Sequence, residues 1–140
     1  MTILVTGSSG FVAQSLIPKL EKLGFDVIGL DWKNGKHTKV IHDIAKPLEI
    51  DDDIDTVIHL AARLEHERCS KEEFFKTNVD GTEQVLNLAN SKNAYFIYVS
   101  TTAVYGSPES PITENTSIDP NGAYALTKWN GEKICKKYNN

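Results

Sequence analysis

The chain is short of cysteine, of excess positive charge and of long apolar runs, and each shortage excludes something. Two cysteines, Cys69 and Cys135, cannot make the disulfide framework of a small secreted domain and are read as reduced thiols. No apolar run approaches the roughly 18 residues of a membrane span. Residues 1–30 also lack a basic stretch followed by a cleavable apolar segment, so a cytoplasmic protein with no membrane partner is expected. Lys and Arg number 15 against 19 Asp and Glu, for a formal net charge of −4, which leaves no electrostatic case for nucleic acid. His66-Glu67-Arg68-Cys69 is half a metal site with no second ligand pair, so no metal is expected. Repeats and low-complexity tracts are missing too. At 140 residues the chain fits one domain, 1–140, large enough to bury a core without staples.

What is present begins with Ile3-Leu4-Val5-Thr6-Gly7-Ser8-Ser9-Gly10-Phe11-Val12-Ala13. A short apolar run suited to a strand buried on both faces leads into residues small enough to turn sharply, and apolar residues then resume at helical spacing. A helix opening after such a turn aims its free N–H groups and positive dipole end at whatever lies above the strand, and a phosphate suits that place. Gly7 permits the turn, Gly10 lets a pyrophosphate approach the backbone, and Ala13 stands where helix and strand pack closely. The same pattern also occurs in βα turns that bind nothing.

The spacing predicts a helix over 11–23 with Phe11, Leu16, Leu20 and Leu23 inward, containing Pro18 and stopped by Gly24. A second strand follows at 26–30. Asp31 closes it, at about the 20-residue remove from the glycine turn where a ribose-binding acid is expected. A carboxylate there accepts from adenosine ribose hydroxyls and repels a 2′-phosphate, favouring NAD over NADP. The alternative for Asp31 is a strand-end turn, and Lys33, Lys36 and Lys39 leave room for NADP. A short third strand is expected at 39–42, an acidic surface connection at 47–55, and a fourth strand at 55–62 ending in Ala61-Ala62, small enough for a ligand to lie against the backbone. His59 is expected to pack rather than titrate. A long helix over 70–90 has Ser70 as N-cap, with Asn78 either functional or on solvated surface. The fifth strand lies at 94–100. Pro108, Pro111 and Pro120 make 106–122 a loop, and a last helix runs over about 123–138. Strands alternating with helices imply an α/β doubly wound parallel sheet with helices on both faces, and right-handed crossovers predict the order 3-2-1-4-5.

Tyr124 and Lys128 stand four apart in the last helix, on one face and one turn apart, so an ammonium can sit near a phenol and favour phenolate. That arrangement makes a general base near neutral pH, though the spacing alone is also that of an ordinary amphipathic helix. Ser100-Thr101-Thr102-Ala103 follows the fifth strand at its carboxyl end and supplies hydroxyls for a substrate oxygen.

Thr6-Gly7-Ser8-Ser9-Gly10-Phe11-Val12-Ala13, Asp31, Asp43-Ile44, His59-Leu60-Ala61-Ala62, Asn78-Val79-Asp80-Gly81-Thr82, Val99 through Gly106, and Tyr124-x-x-x-Lys128 occur together and in order. Over nearly its whole length the chain resembles the extended short-chain dehydrogenase/reductases, specifically the NAD-dependent epimerase/dehydratase family acting on nucleotide sugars. The resemblance implies a Rossmann-like fold with NAD as cofactor. Its cofactor-binding positions would be Gly7, Ser9, Gly10, Phe11, Val12, Asp31, Asp43, Ile44, Leu60, Ala61, Ala62, Asn78, Tyr124 and Lys128. Asp43 and Ile44 would contact adenine, Ala61 and Ala62 would line the cofactor, and Asn78 would support the active-site architecture. The catalytic set would be Thr101, Tyr124 and Lys128. Tyr124 would take a sugar hydroxyl proton with help from Thr101 while hydride passes to NAD, as in a nucleotide-sugar 4-epimerase. The family's 4,6-dehydratases carry an Asp-Glu pair just after the catalytic Thr, where this chain has Thr102 and Ala103, neither an acid nor a base at neutral pH. A nucleotide-sugar dehydrogenase or ketoreductase, or a non-catalytic NAD-binding module, remains the alternative. Family members continue past the Tyr-x-x-x-Lys helix into a region that grips the nucleotide sugar, so the 140-residue chain is expected to hold the cofactor half and to turn over no sugar alone. The family also pairs helices like 70–90 and 123–138 across a dimer axis, so a homodimer is expected, with Phe74, Phe75, Trp129 and Ile134 as candidate contacts or as core.

Overall fold

A computed structural model describes residues 1–108 and 111–138. Two expectations reach beyond them: residues 109–110 of the loop over 106–122, and residues 139–140 of the single domain, lie outside the described residues. The central strand β1 (Thr2–Thr6) is flanked by β2 (Asp26–Asp31) and β4 (Thr56–His59), with β3 (Val40–Ile41) and β5 (Tyr95–Tyr98) outside them. All pairings are parallel and the order is β3-β2-β1-β4-β5, as expected. The register sets Leu4 between Ile28 and Val57, and Thr6 between Leu30 and His59. The carboxyl ends of the strands therefore gather at one rim.

Strands sandwiched by helices bury both faces, which is why β1 and β2 read as continuous apolar runs. Leu4, Ile28, Leu30 and Val57 pack on one side with Val85, Leu88 and Ala89, while Ile3, Val5 and Val27 pack on the other with Ala13 and Ile17. These last two belong to α1 (Phe11–Lys22), which runs through Pro18 and ends at a glycine turn. There Gly24 N–H donates to Glu21 O and Phe25 N–H to Leu20 O, the paired bonds of a Schellman stop. The expected inward set is corrected. Ala13 and Ile17 are buried, Leu16 and Leu20 are half-buried, and Phe11 is 90% and Leu23 73% exposed. Phe11 sits two residues before Ala13, about 200° round the helix, and Leu23 follows the last turn, so neither can reach the sheet.

The stretch 47–55 is not simply a surface connection. Leu48, Ile50 and Ile54 are buried beneath the larger core while Glu49, Asp51, Asp52 and Asp53 point to solvent. Acidic and apolar residues alternate there, so one side of the loop can be wet and the other dry. The helix expected over 70–90 is also interrupted. It comprises α2 (Lys71–Phe75), a π-helical turn (Lys76–Asp80) whose widened ring is closed by Gly81 N–H donating to Lys76 O, and α3 (Gly81–Ser91). Ser70 caps it as expected, with a full capping box: Glu73 N–H donates to Ser70 Oγ and Ser70 N–H to Glu73 Oε2. A 3₁₀ turn (Thr102–Tyr105) and α4 (Gly122–Tyr138) complete the order. α4 lies against α2, the π-turn and α3. Phe74 is accordingly buried within the chain, while Phe75, Trp129 and Ile134 are half-buried. The outer edge of β5 is unpaired among the described residues, and Tyr95, Ile97 and Val99 are exposed beside it. No described helix is long and apolar enough to cross a membrane.

Candidate functional site

The carboxyl ends of the strands open into a cleft of about 820 Å³, at the place where open α/β sheets take their ligands and of a size suited to one. Its floor is the glycine turn. Gly7 has φ +71°, and a Cβ on it would lie 2.8 Å from Ala61 N, so both the conformation and the approach of the chain after β4 require glycine. Gly10 caps α1 in an extended conformation without any side-chain cap bond, leaving the first-turn N–H groups facing the cleft without side-chain partners. Gly7, Ser9, Gly10, Phe11 and Val12 all line the cleft. The exposure of Phe11 is thus exposure to this space.

Asp31 lies on the same wall and is 5% exposed. Its Oδ2 accepts from Ser9 N–H at 2.9 Å and Ser9 Oγ at 2.8 Å, and its Oδ1 from Lys33 N–H at 3.4 Å. The acid at the end of β2 thereby fastens the glycine turn. Asp43 and Ile44 after β3, Leu60, Ala61 and Ala62 after β4, and Tyr124 and Lys128 of α4 also line it. Lys128 is 4% exposed. Its Nζ donates to Val99 O at 2.6 Å and lies 4.2 Å from the centre of the Tyr98 ring. Burial lowers its pKa from 10.5 to about 8, with the neighbouring Cys135 and Glu132 side chains opposing. Burial pushes the Cys135 thiol up to about 11.

Two expected site residues stand off the wall. Asn78 is 1% exposed, which removes the solvated-surface alternative, and its amide is spent within the chain. Oδ1 accepts from Arg63 N–H at 2.7 Å, and Nδ2 donates to Arg63 O and to Thr127 Oγ1, each at 3.1 Å. It ties the chain after β4 to α4, while its neighbour Thr77 lines the cleft. Thr101 accepts from Ala103 N–H at 3.2 Å and caps the 3₁₀ turn, and Ser100 takes the wall position. Because the Thr101 oxygen acts there as acceptor, its own proton stays available to another oxygen.

Glu132, Trp32 and Arg63 support or line the wall without being singled out by the sequence. Ser100 Oγ donates to Glu132 Oε1 at 2.5 Å; Glu132 falls one turn beyond Lys128, a spacing that would have pointed to it. Trp32 and Arg63 meet across the cleft mouth, the guanidinium 6.0 Å from the ring centre. Arg63 is paired with Glu67 at 3.0 Å. Among the described residues no group of three or more His, Cys, Asp or Glu is arranged to hold a metal ion.

A five-stranded parallel sheet in this order, with a glycine turn under a cleft at its carboxyl rim, defines a Rossmann-like protein. The pattern of the NAD dependent epimerase/dehydratase family matches residues 3–140, and the chain belongs to that family. It is 33% identical over 151 residues to a UDP-glucose 4-epimerase of Lactobacillus helveticus, covering 96% of this chain and 46% of that protein. It is also 33% identical to UDP-glucuronic acid decarboxylase 1 of Arabidopsis thaliana, covering 99% of this chain and 36% of the other. Among solved structures, a short-chain dehydrogenase/reductase superfamily protein from Agrobacterium tumefaciens with bound NAD superposes with a TM-score of 0.88 at 28% identity, over 99% of this chain and 45% of that one. The chain spans half or less of the length of these relatives.

Proposed function

We propose that the cleft binds NAD and that the chain carries the cofactor and proton-transfer half of a nucleotide-sugar 4-epimerase. The observation that carries the reading is the convergence on one cleft of the Gly7 turn, the Asp31 carboxylate and the Tyr124–Lys128 pair. The residues fit the cofactor, because the glycine turn, packed so closely on the chain after β4 that no Cβ is accommodated at Gly7, leaves the first N–H groups of α1 uncapped by side chains at the cleft. Gly10, Phe11, Val12 and Ser9 would surround the pyrophosphate, Asp31 the adenosine ribose, Asp43 and Ile44 the adenine, and Leu60, Ala61 and Ala62 the middle of the dinucleotide. Asn78 acts from behind, by fixing Arg63 and Thr127.

NAD, when bound, supplies the hydride acceptor. The chain does the rest. Tyr124 takes the proton of a sugar hydroxyl, and Thr101 donates its free proton in a hydrogen bond to the same oxygen. Lys128 spends one N–H on Val99 O and keeps two for the tyrosine and the cofactor ribose. Thr102 and Ala103 offer no acid or base for eliminating water, which favours epimerase over dehydratase chemistry. Two copies would associate through the outer faces of helices 70–90 and 123–138, where Phe75, Trp129 and Ile134 keep part of their surface.

Isothermal titration and native mass spectrometry of the purified chain test the cofactor. NAD is expected to bind more tightly than NADP, and no binding of NAD at millimolar concentration overturns the reading. UDP-glucose and UDP-galactose interconversion without net NADH release distinguishes epimerase from dehydrogenase in a protein of the relatives' full length. A monomer in sedimentation at high concentration removes the dimer.

A further inference from the structure

We propose that His59 is a positioning residue, a neutral ring of fixed tautomer that couples the glycine turn to the helix of Tyr124. The inference starts from hydrogen-bond arithmetic. His59 ends β4 and is 1% exposed. Its Nδ1 lies 2.7 Å from Thr6 Oγ1, and its Nε2 lies 3.0 Å from Thr82 Oγ1. The Thr82 hydroxyl has one proton and donates it to Asn78 O at 2.8 Å, so towards His59 it can only accept. Nε2 therefore carries the ring proton. Nδ1 is then bare and accepts from Thr6 Oγ1, whose lone pair in turn accepts from Ala61 N–H at 3.2 Å.

Each ring nitrogen in this chain has one partner, and each hydroxyl donates one bond and accepts one. At one end is Thr6, the residue before Gly7, with Ala61 of the cleft wall. At the other is the π-turn, where Asn78 passes the link through Thr127 Oγ1, which donates to Tyr124 O at 2.8 Å. Shifting the tautomer would place two protons or two lone pairs face to face, so the ring works as a rigid spacer between the two halves of the cleft. Its surroundings keep it neutral. The Phe96 and Tyr98 rings from β5 lie 5.9 and 5.8 Å away, Thr6 and Thr82 face it from β1 and α3, and the nearby charge is the Lys128 ammonium on α4. Burial first, and that ammonium second, lower its pKa from 6.5 to about 3.

The role of His59 rests on the reading that the cleft takes NAD, but its test separates the two. In ¹⁵N-detected NMR of the intact chain, His59 should show a protonated Nε2 and a bare Nδ1 unchanged from pH 5 to 8. An Nδ1–H tautomer, or a ring that titrates in that range, overturns the proposal whether or not NAD binds. Two variants then divide the link, because an Asn amide reaches the Nδ1 position and a Gln amide the Nε2 position. H59Q keeps the Thr82 side and loses Thr6, and should weaken NAD about tenfold with little change in deuterium uptake over 76–82. H59N keeps the Thr6 side, and should change NAD affinity less than about threefold while uptake over 76–82 rises. Equal effects of the two variants on both readouts indicate a merely structural histidine and sink the idea. The Thr6→Val and Thr6→Ser pair repeats the first arm should either histidine variant fail to fold, with loss expected for Val and rescue for Ser. Absence of NAD binding in the unaltered chain would count against the proposed function alone, leaving the tautomer and the exchange pattern to decide.

Discussion

Asn78→Ala probes the join between the cofactor wall and α4. The side chain is 1% exposed and makes three bonds: one accepted from Arg63 N–H, one donated to Arg63 O and one donated to Thr127 Oγ1. Truncation leaves a backbone donor, a carbonyl and a hydroxyl without this partner, and a void the size of an amide. Thr127 still donates to Tyr124 O, and Arg63 is half-buried and partly reached by water, so the three losses do not count in full. One well-buried orphan costs about 1–3 kcal/mol. With a contribution from the void the expected loss is about 2–4 kcal/mol, or roughly 10 °C in Tm. Urea unfolding followed by circular dichroism should show the midpoint fall at unchanged slope. Asn78→Asp should be worse at pH 7, because it buries an anion against Arg63 O and loses both donors. Its folded-state pKa would be raised, so the deficit should shrink as the pH falls and the carboxyl takes up a proton. A double cycle with Thr127→Val should show coupling above about 0.5 kcal/mol. An Asn78→Ala protein within about 0.5 kcal/mol of the parent would refute the account of Asn78 as a clamp.

Gly7→Ala should lose about 1–2 kcal/mol from the left-handed conformation alone and weaken NAD at least tenfold, since the new methyl meets Ala61 N; titration calorimetry beside a thermal melt checks both. Lys128 binds its proton less tightly folded, at about 8, than unfolded, at 10.5, so the unfolded chain holds more protons between those values and stability from this group rises with pH across that window. Lys128→Met should therefore gain stability relative to the parent at pH 7, and the advantage should shrink between pH 8 and 10.5; a difference that does not vary with pH contradicts the burial argument. Asp31→Ala should cost NAD affinity by about tenfold, the value of one or two hydrogen bonds, and narrow the preference over NADP; an unchanged NAD to NADP ratio would show that Asp31 serves only Ser9. Ser70→Ala should cost about 1 kcal/mol through the lost capping box, read from urea midpoints.

The parts legible in the sequence are those whose signal is local. β1, β2 and β4 announce themselves as short apolar runs because both faces are covered, and the glycine turn and Asp31 follow from chain geometry within one βαβ unit. What stayed hidden depends on partners far along the chain. Asn78 is one amide in a helix until Arg63 and Thr127 are brought to it, and no periodicity marks Leu48, Ile50 and Ile54 as core, because an irregular loop has none. Phe11 faces the cleft and not the core, a difference that apolar spacing does not carry. That Ser100 lines the cleft and Thr101 does not turns on which side of an extended residue faces the rim, which pattern alone does not settle.

The π-turn between Phe75 and Gly81 makes length, as well as the identity of Asn78, a guarded quantity in that stretch. It holds one residue beyond what an α-helix would accommodate, and the surplus is taken up in the ring closed by Gly81 and Lys76. Losing any single residue from 76–80 would let the helix heal into a regular one. The helix on either side would keep its phase, while Asn78 would lose the position that the wide ring gives it opposite Arg63 and Thr127. Substitutions at 76, 77, 79 and 80 should be tolerated better than a one-residue deletion, which displaces Asn78 as well, a contrast that a deletion scan beside a substitution scan would expose directly.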